Sequence, residues 1–156
     1  MTLAMSSPLV SRVSTAAGSS TRLWRQSRLR KHADFEKVYR SGRRIFSAHM
    51  TVFFLRRNGD MGPPPQQTKV GFAGGPGPAR VGFTVARAMG TAVERNRIRR
   101  RLREAVRLNL GAVGDDVDVV IHPRKSALAA EFAKLCQEVA GAFTRIRSSA
   151  GGSATE

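Results

Sequence analysis

Cysteine is almost missing from this chain, and its other scarcities narrow the chemistry further. Cys136 is the one cysteine in 156 residues, so no internal disulfide can form. Its apolar-periodic setting reads as a small core residue, and a reducing compartment, the cytoplasm, is expected. No apolar run reaches the ~18–20 residues of a membrane span. The three histidines, His32, His49 and His122, are scattered, and no His/Cys pair has the spacing of metal ligands. A Ser-His-Asp arrangement and a glycine-rich phosphate loop are both missing. Acidic residues are scarce as well: 11 Asp+Glu face 27 Lys+Arg, a formal net charge of +16. Such an excess repels itself in a compact state and persists where a polyanion is the partner. Lysine contributes only Lys31, Lys37, Lys69, Lys125 and Lys134. The charge is therefore arginine, whose planar fork suits bidentate phosphate contacts and stacking on bases. Nucleic acid is the expected partner.

The length fits one domain, spanning 23–146, between disordered ends at 1–22 and 147–156. The first twenty residues are rich in Ser and Thr and free of acids, as transit peptides are. A disordered or mis-started extension is the preferred reading of them. Inside the domain, Phe35, Val38 and Tyr39 fall at i, i+3 and i+4 and predict a helix, with Asp34 a candidate cap and Gly42 a candidate stop. Residues 47–56, SAHMTVFFLR, read as a strand. Five of the seven prolines then fall within 58–79, a Pro/Gly-rich surface loop insertion. It contains KVGFA, echoed by RVGFT at 80–84; the second copy runs on into a helix and is taken as the central strand. A buried strand over 117–121, ended by Pro123, and a last helix over 127–146 complete the order α-β-β-α-β-α. The class is α+β, with a three- or four-stranded sheet covered by helices.

The densest signal is RVGFTVARAMGTAVERNRIRRRLREAVR, residues 80–107. Ile98, Leu102, Ala105 and Val106 form an apolar ridge at helical spacing, while Arg95, Asn96, Arg97, Arg99, Arg100, Arg101, Arg103 and Arg107 crowd the remaining faces. Charge runs on helices are usually solvated faces relieved by i,i+4 acids, but here only Glu94 and Glu104 are available. A helix that packs on one side and offers guanidinium groups elsewhere is suited to phosphates. For Phe35, Tyr39 and Phe53, spacing alone favours core. Their neighbours Arg40, Arg43, Arg44, Arg56 and Arg57 favour a groove that stacks single-stranded RNA bases while guanidinium groups track the backbone. Asp115, Asp116 and Asp118 leave open a metal-dependent protein nuclease.

RLRKHADFEKVYRSGRR together with the 80–107 stretch, and within it Arg95-Asn96-Arg97 followed by Ile98-Arg99-Arg100, closely resembles the bacterial ribonuclease P protein family. The resemblance spans about 23–143. It implies a two-layer sandwich like the second domain of ribosomal protein S5, with a left-handed β-α-β crossover through the arginine helix, against the usual hand. It further implies the protein component of a ribonucleoprotein endoribonuclease whose RNA subunit carries catalysis. That RNA removes the 5′ leader of precursor transfer RNA and leaves a 5′-phosphate on the mature end. Mg2+ is held by the RNA and none by the protein alone. On the same grounds, Arg95, Asn96, Arg97, Arg99, Arg100 and Arg103 meet the catalytic RNA, while Phe35, Tyr39, Phe53 and Arg87 hold the leader. No residue of the protein is assigned a catalytic role. The chain departs from the family pattern at Ala88, where relatives often carry a second basic residue, and in the length of its insertion. A general RNA-binding or ribosome-associated RNA-chaperone module is the alternative function.

Overall fold

The structure is a computed structural model and describes residues 25–57 and 77–149. The N-terminal extension, the KVGFA echo, most of the Pro/Gly-rich insertion and the end of the C-terminal tail lie outside the described residues. Helix α1 (His32–Ser41) leads into strands β1 (Arg43–Phe46) and β2 (Met50–Arg56). Strand β3 (Arg80–Phe83), helix α2 (Ala92–Asn109), strand β4 (Val117–Pro123) and helix α3 (Phe132–Ser148) follow. The four strands form one sheet in the order β1-β2-β4-β3. β1–β2 and β2–β4 are antiparallel, whereas β3 and β4 run parallel on either side of α2, the β-α-β unit expected through the arginine helix.

One face of the sheet carries the main core. Val52, Phe54, Val81, Val119 and Ile121 meet Ile98, Leu102 and Val106 of α2 and Leu135, Val139, Phe143 and Ile146 of α3. Each fully buried side chain of this size contributes about 1.5–3 kcal/mol by leaving water. On the opposite face α1 covers only one end, where Val38 packs with Leu29, Leu55 and Val120, and Phe35, Tyr39 and Phe53 lie half-buried around them. Among the described residues, the rest of that face is left open.

Several expectations shift. β1 adds a strand to the anticipated order, and β2 begins at Met50 because residues 47–49 form the turn of the β1–β2 hairpin. Asp34 does not cap α1: Lys31 holds the cap position, and the Asp34 carboxylate pairs with Arg80 at 3.2 Å. Gly42 does follow α1, but in extended backbone (φ −82). A Cβ there would collide with the carbonyl oxygens of Val38 and Phe54, so close approach sets the requirement.

The expected helix over 127–146 is split into a 3₁₀ turn (Lys125–Leu128) and α3. Arg101 of α2 donates to the carbonyls of Ala127 (3.3 Å), Leu128 (3.4 Å) and Ala130, acceptors that a continuous helix would have used itself. α3 then runs to Ser148, so residues 147 and 148 are helical rather than tail. The end of the insertion also belongs to the fold. The Gly77 N–H donates to the Asp116 carboxylate at 2.6 Å, Arg57 donates to the carbonyls of Gly77 and Pro78 at 2.7 Å, and Ala79 is buried.

Candidate nucleic-acid interface

The approach to α2 is set by a tight turn. A 3₁₀ turn at Arg87–Met89 leaves β3, buries Met89, and reaches Gly90 at φ 142, a conformation that favours glycine. Thr91 then caps α2 in a reciprocal capping box: the Glu94 N–H donates to the Thr91 hydroxyl (3.3 Å) and the Thr91 N–H to the Glu94 carboxylate (2.7 Å). The backbone N–H of Thr91, then its hydroxyl, hold the Glu94 carboxyl below the usual carboxylate range. One of the two acids near the arginines is therefore committed to the cap. The other, Glu104, is gripped by Arg107 at 2.9 Å, which lowers its pKa.

The expected ridge of Ile98, Leu102, Ala105 and Val106 is fully buried. Asn96, Arg97, Arg100 and Arg103 are exposed on the far side, whereas Arg95 and Arg99 flank the ridge half-buried. Among the described residues, no carboxylate lies within ion-pair distance of Arg95, Arg97, Arg99, Arg100 or Arg103. Arg101, outside the expected RNA-facing set, is committed to the turn before α3.

The open half of the sheet is a groove of about 600 Å³ lying between β1 and the foot of α2. Strand register builds it. Phe53 faces Arg44 on one side and Val120 on the other, and Thr51 likewise faces Phe46 and His122. Residues two apart share a face, so the floor is Thr51, Phe53 and His122, with Arg44 and Phe46 along one wall. Ala86, Ala88 and Met89 form the other wall, and Arg124 and Lys125 add charge there. The Arg44 guanidinium lies 5.5 Å above the Phe53 ring, and Tyr39 meets that ring edge-on with centroids 4.8 Å apart. The Tyr39 hydroxyl donates to Thr84 Oγ1 at 2.7 Å, which fixes its position between α1 and the end of β3.

The expected leader residues therefore occupy different settings. Phe53 lines the groove, and Tyr39 stands at its α1 end. Arg87 is exposed between the lining residues Ala86 and Ala88. Phe35 lies apart, its ring filling the notch above Gly82, where a Cβ would be 2.5 Å away. Asp116 and Asp118 are engaged elsewhere, and Asp115 is exposed. Buried Asp118 bridges Arg57 (3.1 Å) and Arg80 (2.6 Å), and its hydrogen bond is the main reason the Arg80 pKa is raised. Among the described residues no three His, Cys, Asp or Glu side chains are grouped to hold a metal ion, and no helix is long and apolar enough to cross a membrane.

A model of the ribonuclease P family matches residues 23–147. The ribonuclease P protein component of Acidothermus cellulolyticus is 36% identical over 127 residues, which is 80% of this chain and 93% of that protein. The chain belongs to the ribonuclease P protein family. The component from Rhodococcus erythropolis is 35% identical over 77% of this chain and 88% of its own length. Among solved structures, the ribonuclease P protein of Thermotoga maritima superposes with a TM-score of 0.60 at 25% identity, covering 76% of this chain and 96% of that one. A Staphylococcus aureus ribonuclease P protein shares the fold, with a TM-score of 0.57 at 18% identity, over 88% of this chain and 98% of that one.

The groove residues that sequence reasoning did not single out are Phe46, Thr51, His122, Arg124 and Lys125. The period-two alternation of β2 could have found Thr51 beside Phe53. Phe46 and His122 depend on strand pairings that only the folded sheet displays, and Arg124 and Lys125 on the turn that follows β4.

Proposed function

We propose that this chain is the protein subunit of ribonuclease P, which binds the catalytic RNA through α2 and the 5′ leader of precursor transfer RNA in the open groove. The observation that carries the reading is a helix offering Arg97, Arg100 and Arg103 to solvent without acidic partners, beside an aromatic groove lined with cations. Guanidinium groups left unpaired cost self-repulsion in the free protein, and that cost is relieved when phosphates arrive. The exposed groups Asn96, Arg97, Arg100 and Arg103 make the RNA contact, with Arg95 and Arg99 supporting it from the flank of the ridge. Phe53 and Tyr39 supply ring surface for bases of the leader, Arg87 lies at the groove end of β3, and Phe35 contributes by seating α1 against Gly82.

In this reading the RNA subunit carries the hydrolysis and holds the Mg2+, in the cytoplasm, and the protein supplies affinity and position for the leader. Asp116 and Asp118 fit a structural part. Asp118 neutralises two arginines in the protein, and a metal ion there would have to displace both guanidinium groups. The test is reconstitution: purified protein is incubated with precursor transfer RNA and Mg2+, with and without the cognate catalytic RNA. Cleavage at the mature 5′ end is expected only with the RNA present. Cleavage by the protein alone would overturn the reading in favour of a protein nuclease. Binding to unrelated RNAs without stimulation of the catalytic RNA would favour a general RNA chaperone.

A further inference from the structure

Phe46 is the most conspicuous side chain that the proposed function has not used. It is 63% exposed, at the end of the sheet's edge strand β1, and belongs to neither apolar cluster. A phenyl ring left in water gives the fold nothing, so its position points to an occupant. We propose that Phe46 is a second nucleobase platform, carrying the single-stranded leader one step beyond Phe53 and out across β1.

Register places the two rings for this. Phe46 pairs with Thr51 and Phe53 pairs with Arg44, so Phe46 and Phe53 are diagonal neighbours on the same face of β1–β2. Diagonal neighbours have Cα atoms roughly 7–8 Å apart, and aromatic side chains reach across that gap. Consecutive bases of one extended strand can therefore sit on the two rings in turn. Arg44 stands beside Phe46 on β1, and Arg124 and Lys125 line the same groove, so the charge suits a phosphate backbone. The platform is also held in advance. Next to it, the Ser47 hydroxyl donates to the Glu138 carboxylate of α3 (2.5 Å), as does the His49 N–H (3.1 Å), and the His49 ring meets the same carboxylate. The Arg124 N–H donates to the His49 carbonyl at 2.8 Å, which ties the hairpin turn to the end of β4. A hairpin fixed by its own contacts loses little further freedom when RNA binds, so stacking is realised as affinity.

The proposal rests on the leader reading of the groove, and the experiment separates the two. Holoenzyme reconstituted with the catalytic RNA is titrated with precursor transfer RNAs whose leaders lengthen from one nucleotide upward. Phe46→Ala, Phe46→Leu, Phe46→Trp and Phe53→Ala are compared with the parent protein. Affinity should rise stepwise with leader length. Phe46→Ala should remove one of the later steps, a loss of roughly fivefold or more, while mature transfer RNA binds as before. Phe46→Trp should keep that step and Phe46→Leu should lose it, because the π-face rather than apolarity does the stacking. If Phe53→Ala removes leader dependence but Phe46→Ala leaves every step in place, the second platform is wrong and the groove stands. If Phe46→Leu matches the parent, or Phe46→Ala alters only the oligomeric state, the ring covers another protein surface and the proposal is overturned. Leader dependence untouched by both Phe46→Ala and Phe53→Ala would overturn the groove reading and this inference with it.

Discussion

Phe35 and Phe53 are both aromatic and both half-buried, yet their surroundings assign them different work. The Phe35 ring fills the space above Gly82 that a side chain would otherwise occupy, next to Leu29. Phe53 opens into the groove, with Arg44 above it and Tyr39 at its edge. Replacing Phe35 by alanine should therefore cost mainly stability, about 2–3 kcal/mol, below the ~3–5 of a fully buried phenylalanine because part of the ring is already in water. Replacing Phe53 by alanine should weaken precursor binding roughly five- to a hundredfold and spare mature transfer RNA. Urea unfolding run beside leader-dependent binding for each variant reads both quantities. Equal losses for precursor and mature RNA in Phe53→Ala would return that ring to the core. The helical spacing of Phe35, Val38 and Tyr39 correctly put the three near one side of α1, with Val38 fully buried between its neighbours. Spacing could not separate the two rings, because the difference lies in Gly82 on β3 and in Thr84 just beyond it, far along the chain.

At the scale of elements, legibility follows how local the cause is. α2 was readable in its apolar ridge and its charge, which come from neighbours in sequence; its Thr91–Glu94 capping box is as local but was not read. β1 was not, since RRIF carries almost no alternation and becomes a strand only by pairing with β2. The break before α3 was hidden for the same reason, its cause being Arg101 on another helix. In β2, four consecutive apolar residues, Val52 to Leu55, concealed which face is wet, and that face supplies Thr51 and Phe53 to the groove floor. The tie between the β1–β2 hairpin and α3 is equally non-local, and its behaviour with pH follows from Glu138. Burial pushes the Glu138 carboxyl up, but hydrogen bonds from Ser47 and His49 and the His49 charge outweigh it, leaving the pKa below the ordinary 4.5. A carboxyl lowered on folding stabilises the protein fully above its unfolded value, and the contribution is lost as pH falls through the folded value. The carboxylate side of the hairpin tie should therefore be intact at neutral pH and be lost as pH falls below about 4.5. Glu138→Gln should destabilise the protein at pH 7 by about 1–3 kcal/mol and flatten the acid limb of stability against pH. Urea midpoints measured from pH 7 down to pH 3 test this; an acid limb identical to the parent's would remove Glu138 as its source.

At the scale of the whole molecule the net charge is +16, and among the described residues several acids are spent where the fold needs them. Asp34 and Asp118 serve Arg80, with Arg57 sharing Asp118, Glu94 caps α2, and Glu138 ties down the hairpin. The exposed side of α2 is left with little to balance it, so the free protein tolerates a repulsive surface that RNA would relieve. Such binding releases counterions and is steeply salt-dependent, with a log–log slope of roughly 0.7–0.9 per phosphate neutralised. Changing Arg97, Arg100 and Arg103 together to alanine removes three exposed cations without touching Ile98, Leu102 or Val106. Alanine also favours helix, so the fold should survive with an unchanged unfolding midpoint. If each of the three meets one phosphate, the slope for binding the catalytic RNA should fall by roughly 2–3, and affinity at low salt should drop with it. The same change at Arg101 alone should do the reverse, lowering stability through the lost carbonyl contacts while leaving the slope in place. Titrations at several salt concentrations decide the matter, because a fold defect shifts affinity at every salt whereas lost phosphate contacts change the slope itself. An unaltered slope in the triple variant would make these arginines a solvated face and move the RNA contact elsewhere on the protein.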